Sequence, residues 1–339
     1  MASHDIERGG QTTAAADAGE PSPSRSSPSA LGYCKVCELG DFEDPDLKNM
    51  VRDIFEPDRE HFGRKFPQGR EYRKYWEVAM TARAFRDLGV LGDDSRVLGV
   101  GAGHEATIYW LTRQVGRVVA TDLYEPEDTW SETDSSADML TDPGRFWDGA
   151  WDPNRLEVRS MNALELDFPD DSFDGVFSSS SIEHFGAFAD IRRSIEEIYR
   201  VLRPGGVAAL ATEFRVAGAG NGWPGVYLFD EASLRAAIFD GLWWDPATPL
   251  DTRVSDATLS APVELQEAVA EPRANVQVWS QYPHVVLHQE PFLFTSVHVA
   301  MVKSSSPTAA WRGAPTEFSQ ERSLKDRLAG VAQRLRRSG

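Results

Sequence analysis

"SRVLGVGAGHEATIYWLT", residues 95–112, runs from an apolar stretch through three alternate glycines into a helix-like segment. Strand, glycine loop and helix in that order bring backbone N–H groups close to a ligand, because glycine adopts positive φ and carries no Cβ. The glycines are Gly99, Gly101 and Gly103, followed by His104 and Glu105, a G-x-G-x-G spacing. A dinucleotide fingerprint asks instead for G-x-G-x-x-G, and a carboxylate at Glu105 would sit badly beside a pyrophosphate. Asp122 closes the next apolar run about twenty residues on, where a carboxylate can accept from both ribose hydroxyls. Nicotinamide dinucleotides and other adenosine cofactors share that feature, so at this point the cofactor class stays open.

Outward from the loop, strands and helices alternate. "RVLGV", "RVVATDLY", "LEVRSMNA", "FDGVFSSSS" and "VAALATEF" read as five buried strands, and "HEATIYWLTRQ" and "ADIRRSIEEIYRVL" as helices between them. In the second helix Ile191, Ile195, Ile198 and Leu202 share one face, and "RPGG" stops it. The alternation predicts an α/β fold with a mostly parallel sheet covered on both faces. "PHVVLHQE" and "FLFTSVHVAMVK" predict a closing antiparallel hairpin. Ahead of the loop, "DFEDPDLKNMVRDIF" predicts a short helix. "YRKYWEVAMTARAFRDLG" predicts a longer one, with Tyr75, Val78, Ala82 and Phe85 at helical spacing and Gly89 as its stop.

The chain has 339 residues, 41% hydrophobic and 26% charged, the composition of an ordinary globular protein. Its formal net charge of −18 disfavours nucleic acid and anionic membrane surfaces as partners. No apolar run approaches the ~20 residues of a membrane span, and the polar start "MASHDIERGG" lacks a signal-peptide core. A cytoplasmic protein is expected. The two cysteines, Cys34 and Cys37, make half of a tetrahedral zinc site and would need His61 or a second chain to complete one, so a structural pair is expected and no metal. His284 and His288, in an apparent strand, read as structural.

The expected organisation is a disordered tail over 1–30 and an N-terminal extension over 31–94. The α/β domain covers 95–303, with insertions at 124–154 and 214–282, and 304–339 form a linker and a basic amphipathic helix. In that helix Leu324, Leu328, Val331 and Leu335 share a face that could meet a partner or a membrane surface. Trp130, Trp147 and Trp151 in the first insertion, and Trp243 and Trp244 in the second, suggest a stacking pocket for a flat or sugar-like ring.

"NALELDFPDDSFDGVFSSSSIEHF" followed by "EEIYRVLRPGGVAALATEF" closely resembles the class I S-adenosylmethionine-dependent methyltransferases, over roughly residues 95–214. The resemblance implies a Rossmann-like seven-stranded sheet in the order 3-2-1-4-5-7-6, its last strand antiparallel, and S-adenosyl-L-methionine as cofactor. It implies that Gly99, Gly101, Ala102, Gly103, His104 and Glu105 form the donor loop. Asp122 would hold the ribose, with Leu123 beside the adenine and Asn162 and Ala163 at the adenine edge. Ser178 and Ser179 would lie beneath the sulfonium. The family carries an acid where Gly99 stands, a glycine where Glu105 stands and commonly an aspartate where Asn162 stands. Glu105, at a helix start, is expected to supply the charge lost at Gly99. His184 is the expected general base, with Glu183 and Glu213 as further catalytic candidates. The expected reaction is O- or N-methylation of a small-molecule or glycan-type acceptor. A nicotinamide-dependent oxidoreductase and a non-catalytic cofactor-binding scaffold are the alternatives.

Overall fold

Ten of the twelve residues in "FLFTSVHVAMVK" are buried, a run too continuously apolar for a sheet edge, and it forms the strand that ties the molecule together. The computed structural model describes residues 31–55, 72–124, 136–270 and 285–305. The expectations for residues 1–30, His61, Trp130, His284 and the helix beyond residue 305 lie outside the described residues.

In chain order the elements are β1 (Lys35–Val36), α1 (Pro45–Phe55), α2 (Arg73–Asp87), β2 (Gly92–Val100), α3 (Ala106–Thr112), β3 (Val115–Asp122), β4 (Leu156–Ser160) and β5 (Phe173–Ser179). Next come α4 (Phe188–Val201), β6 (Leu202–Ala217), β7 (Gly222–Trp223), β8 (Val226–Tyr227), β9 (Trp244–Pro246), β10 (Val263–Glu264), β11 (Leu287–Gln289) and β12 (Phe292–Lys303), with short helical turns between them. The sheet runs β4-β3-β2-β5-β6-β12-β11-β10. β2 to β6 are mutually parallel, whereas β12 is antiparallel to both β6 and β11. With β2 as first strand and β12 as last, this is the order 3-2-1-4-5-7-6.

The sheet has ten strands rather than seven. β6 covers one whole edge of β12, from Leu293 to Val302. Along the other edge β11 takes Phe292–Phe294, β1 takes Val297–His298 and β9 takes Met301–Lys303. Unpaired strand edges are costly when buried, and the short pieces close this one.

α4 buries Ile191, Ile195 and Ile198 as the periodicity predicts. The "RPGG" stop lies inside β6. Leu202 pairs with Phe173 and the register resumes at Val207 with Gly175, so residues 203–206 loop out, with Gly205 at φ +81°.

α2 lies between α1 and the sheet and is buried almost all round, including Trp76, Ala79, Met80 and Phe85. The Trp76 indole donates to Asp41 at 2.8 Å, and the Arg83 guanidinium donates to Asp46 at 2.8 Å. Cys34 and Cys37 flank β1 as buried free thiols, and Cys34 donates to the Ala300 carbonyl at 3.3 Å. The first-insertion tryptophans pack outward on α3: Trp147 stacks on Tyr109 at 5.4 Å and Trp151 meets it edge-on at 5.6 Å. Trp244 is core, its indole donating to the Ile238 carbonyl at 2.9 Å, while Trp243 is exposed. None of these four lines the central cavity. Among the described residues no helix is long and apolar enough to cross a membrane.

Candidate active site

At the carboxyl ends of β2, β3, β5 and β6 a cavity of about 1230 Å³ opens between the glycine loop and α2. Ligand sites belong at this end of a parallel sheet, where successive strands diverge into loops on opposite faces.

One half of the wall is the loop after β2. The Ala102 N–H donates to the Thr121 carbonyl at 2.9 Å and the Tyr124 hydroxyl donates to the Gly103 carbonyl at 2.8 Å, so β3 holds the loop from below. Gly101 has φ +62°, and a Cβ there would meet Ser181 at 2.7 Å and the Phe185 ring at 2.9 Å. Asp122 accepts the Gly103 N–H at 3.0 Å and the Leu123 N–H at 2.7 Å, one on each oxygen. Each oxygen keeps a second lone pair, as a carboxylate reading a diol requires. Leu123 beside it is 46% exposed, a large apolar side chain with a free face at the cavity wall. Asn162 and Ala163 continue the wall, and the Asn162 amide oxygen is held by the Leu164 N–H at 2.9 Å.

The four serines after β5 diverge in four directions. Ser178 points into the core and its hydroxyl has no partner. Ser179 reaches Glu105 at 3.5 Å. Ser180, at φ +49°, donates to Glu77 at 2.7 Å, and Ser181 donates to the Gly101 carbonyl at 2.5 Å. The strand thereby turns into Ile182–His184. The His184 Nδ1 lies 2.8 Å from the Gly225 carbonyl in the β7–β8 turn. A carbonyl can only accept, so Nδ1 carries the proton, and in the neutral ring Nε2 keeps its lone pair.

The other half of the wall is ionic. Arg73 donates to both oxygens of Glu213 at 2.6 and 2.7 Å and to Ser296 at 3.0 Å. Lys74 lies 3.1 Å from Glu213, 3.2 Å from Glu77 and in contact with the Ser180 hydroxyl. Glu77 also accepts from Ser296. Burial pushes the Glu213 carboxyl up, but the charges of Arg73 and Lys74 together outweigh it and hold it below the usual carboxylate range. Glu183 shows the opposite balance. Burial raises its carboxyl against the pull of His184, and while one oxygen accepts from Thr212 at 2.8 Å the other has no partner. Burial also raises Glu105, to about 8. The helix it begins has only seven residues, and any pull from that N-terminus is outweighed by desolvation.

Of the residues expected in the site, Gly101, Ala102, Gly103, Glu105, Asp122, Leu123, Asn162, Ala163, Ser179, Glu183, His184 and Glu213 line the cavity. Three do not. Gly99 lies behind the loop, where a Cβ would meet the Phe177 ring at 2.6 Å and Ala102 at 2.8 Å. His104 stacks on Phe146 at 4.6 Å, and Ser178 faces inward. The sequence reading missed Arg73, Lys74 and Glu77. Their signal was three charged residues opening a helix that is otherwise buried. Among the described residues no group of three or more His, Cys, Asp or Glu side chains could hold a metal ion.

A family described as a methyltransferase domain matches residues 98–210. The chain is 27% identical over 176 residues to Methyltransferase GfsG of Streptomyces halstedii, a match spanning 51% of this chain and 57% of that protein. It is 49% identical over 51 residues to a demethylmenaquinone methyltransferase of Symbiobacterium thermophilum, spanning 15% of this chain and 19% of that protein. Geranyl diphosphate C-methyltransferase from Streptomyces coelicolor A3(2) superposes with a TM-score of 0.43 at 16% identity, over 76% of this chain and 98% of that one.

Proposed function

On the match of residues 98–210 to a methyltransferase-domain family, we propose that the chain is a cytoplasmic class I S-adenosylmethionine-dependent methyltransferase acting on an oxygen or nitrogen of a small-molecule or glycan-type acceptor. The observation that carries this reading is the single cavity that joins the Gly101–Gly103 loop and Asp122 to His184 and Glu183. When bound, S-adenosyl-L-methionine supplies an activated methyl group on sulfur, so positioning accounts for much of the rate. The glycine loop would admit the donor closely, Asp122 would accept from its ribose hydroxyls, and Leu123, Asn162 and Ala163 would flank its adenine. Glu105 and Ser179 would face its amino-acid end.

At the acceptor end His184 Nε2 would take the proton from the attacking hydroxyl or amine as that atom forms its bond to the methyl carbon. The Gly225 carbonyl keeps the ring in the tautomer that can do so. Glu183, buried behind His184 with one oxygen accepting from Thr212, would support the imidazole electrostatically rather than meet the acceptor. Glu213 is a weak base here, because its two oxygens already face Arg73 and Lys74. It would act instead by holding those cations in place. Since both cations are paired, the wall favours uncharged, hydroxyl- or amine-bearing acceptors over phosphates. Trp223, whose ring packs 5.6 Å from that of Phe294, would give a ring-shaped acceptor a flat surface.

Calorimetry with S-adenosylhomocysteine and with NAD tests the donor, with binding of the first and not the second expected. Transfer of a labelled methyl group to pooled neutral glycosides and small amines tests the acceptor. Tight donor binding with no transfer to any pool would favour a scaffold.

A further inference from the structure

Among the described residues three carboxyls on the cavity wall, Glu105, Asp122 and Glu183, lack a cation, and Asp122 is already held by the Gly103 and Leu123 N–H groups. Arg73 and Lys74 are taken by Glu77 and Glu213, and Glu183 accepts from Thr212. Glu105 faces hydroxyls only, those of Ser179 at 3.5 Å and Thr107, and among the described residues it forms no ion pair. It occupies the position where the donor loop departs from the family's glycine. The position that usually carries the acid, Gly99, is sealed by Phe177 and Ala102 and does not face the cavity. A carboxyl sunk in a wall without a counter-ion is held neutral by desolvation until a cation arrives.

We propose that Glu105 is the anchor for the ammonium group of the methyl donor, and that it releases a proton to the solvent as that group arrives. This rests on the donor proposed above. The charge balance is simple: one neutral carboxyl becomes a carboxylate against one ammonium, and one proton leaves. The charged and titratable groups facing Glu105 are Glu77 and Lys74 of α2 and the Tyr124 hydroxyl after β3. Glu77 disfavours the ionised form and Lys74 favours it, so neither supplies the missing positive charge alone. The demethylated product keeps the same ammonium, so product is held by the same group.

Titration calorimetry on the full chain tests this with two ligands. S-adenosylhomocysteine carries the amino-acid end, and 5′-methylthioadenosine lacks it. For the wild-type protein at pH 7, homocysteine-derivative binding measured in phosphate and in Tris is expected to release close to one proton. Its affinity is expected to rise about tenfold per pH unit up to about pH 8 and then level off. In Glu105→Gln the release and the pH slope vanish and S-adenosylhomocysteine affinity falls about tenfold or more, while 5′-methylthioadenosine affinity stays within about twofold. Glu105→Asp, which keeps the charge, is expected to recover part of the affinity and the proton release. Equal loss for both ligands in Glu105→Gln, or unchanged binding of both, overturns the assignment. Failure of the wild-type protein to bind either ligand would instead refute the donor reading itself.

Discussion

His184 and Glu105 show how neighbours decide what an ionisable side chain can do. The Gly225 carbonyl commits His184 to one tautomer, so the imidazole can act without rearranging. His184→Ala is expected to lower kcat by about 10²–10⁴-fold while S-adenosylhomocysteine affinity is unchanged, which steady-state kinetics and calorimetry together would check. Glu105 has an ordinary value of 4.5 and is raised to about 8 in the fold. Between those values the folded protein holds a proton that the unfolded chain has lost, so its contribution to stability is full at low pH and declines as pH rises through that window. The empty wild-type protein is expected to lose about 1–3 kcal/mol from this group between pH 5 and pH 8. Glu105→Gln is expected to lack that loss, and urea unfolding at the two pH values would measure the difference.

The glycine loop and the serine run illustrate what an element imposes on its residues. Neighbouring strand residues face opposite sides, so Ser178 and Ser179 cannot both line one cavity, and alternation could have predicted that only one does. Gly99 is a glycine because Phe177 fills the place of its side chain, a packing reason rather than a ligand one. Gly99→Asp, which would restore the family's acid, is expected to destabilise by about 1–3 kcal/mol through overpacking. It should not improve donor affinity, because the new carboxylate would face Phe177 rather than the cavity. Thermal unfolding and calorimetry on one preparation would show both. The loop's G-x-G-x-G spacing, Asp122 and the ends of α4 and β12 were legible because each depends on residues close in sequence. The extra strands were not. Two or three residues carry too little pattern to announce β1, β9 or β10; β1 and β9 pair only because β12 leaves an edge to close, and β10 because β11 does.

The ionic half of the site belongs to the whole molecule. Arg73 comes from α2, Glu213 from β6 and Ser296 from β12, and β6 and β12 pair directly at Glu213 and Ser296. The cluster therefore fastens the N-terminal helices to the sheet at the point where the cavity ends. Arg73→Met leaves two buried carboxylates to share Lys74 alone and is expected to destabilise by about 3–5 kcal/mol. The double variant Arg73→Met/Glu213→Leu is expected to cost less than the sum of its parts, which a double-mutant cycle in urea would reveal. No reading of the chain could place residues 73, 77, 213 and 296 together, since only the folded sheet brings them within hydrogen-bonding distance. The alternation of strands and helices and the glycine loop with its nearby carboxylate followed from hydrophobic period and residue spacing, properties of short stretches. The strand order and the methyl-donor reading of the loop came instead from the resemblance to the methyltransferase family. Which carboxyls are pushed up, which are held down and which glycines line the cavity were decided by the tertiary fold, because desolvation and ion pairing depend on neighbours supplied by distant parts of the chain.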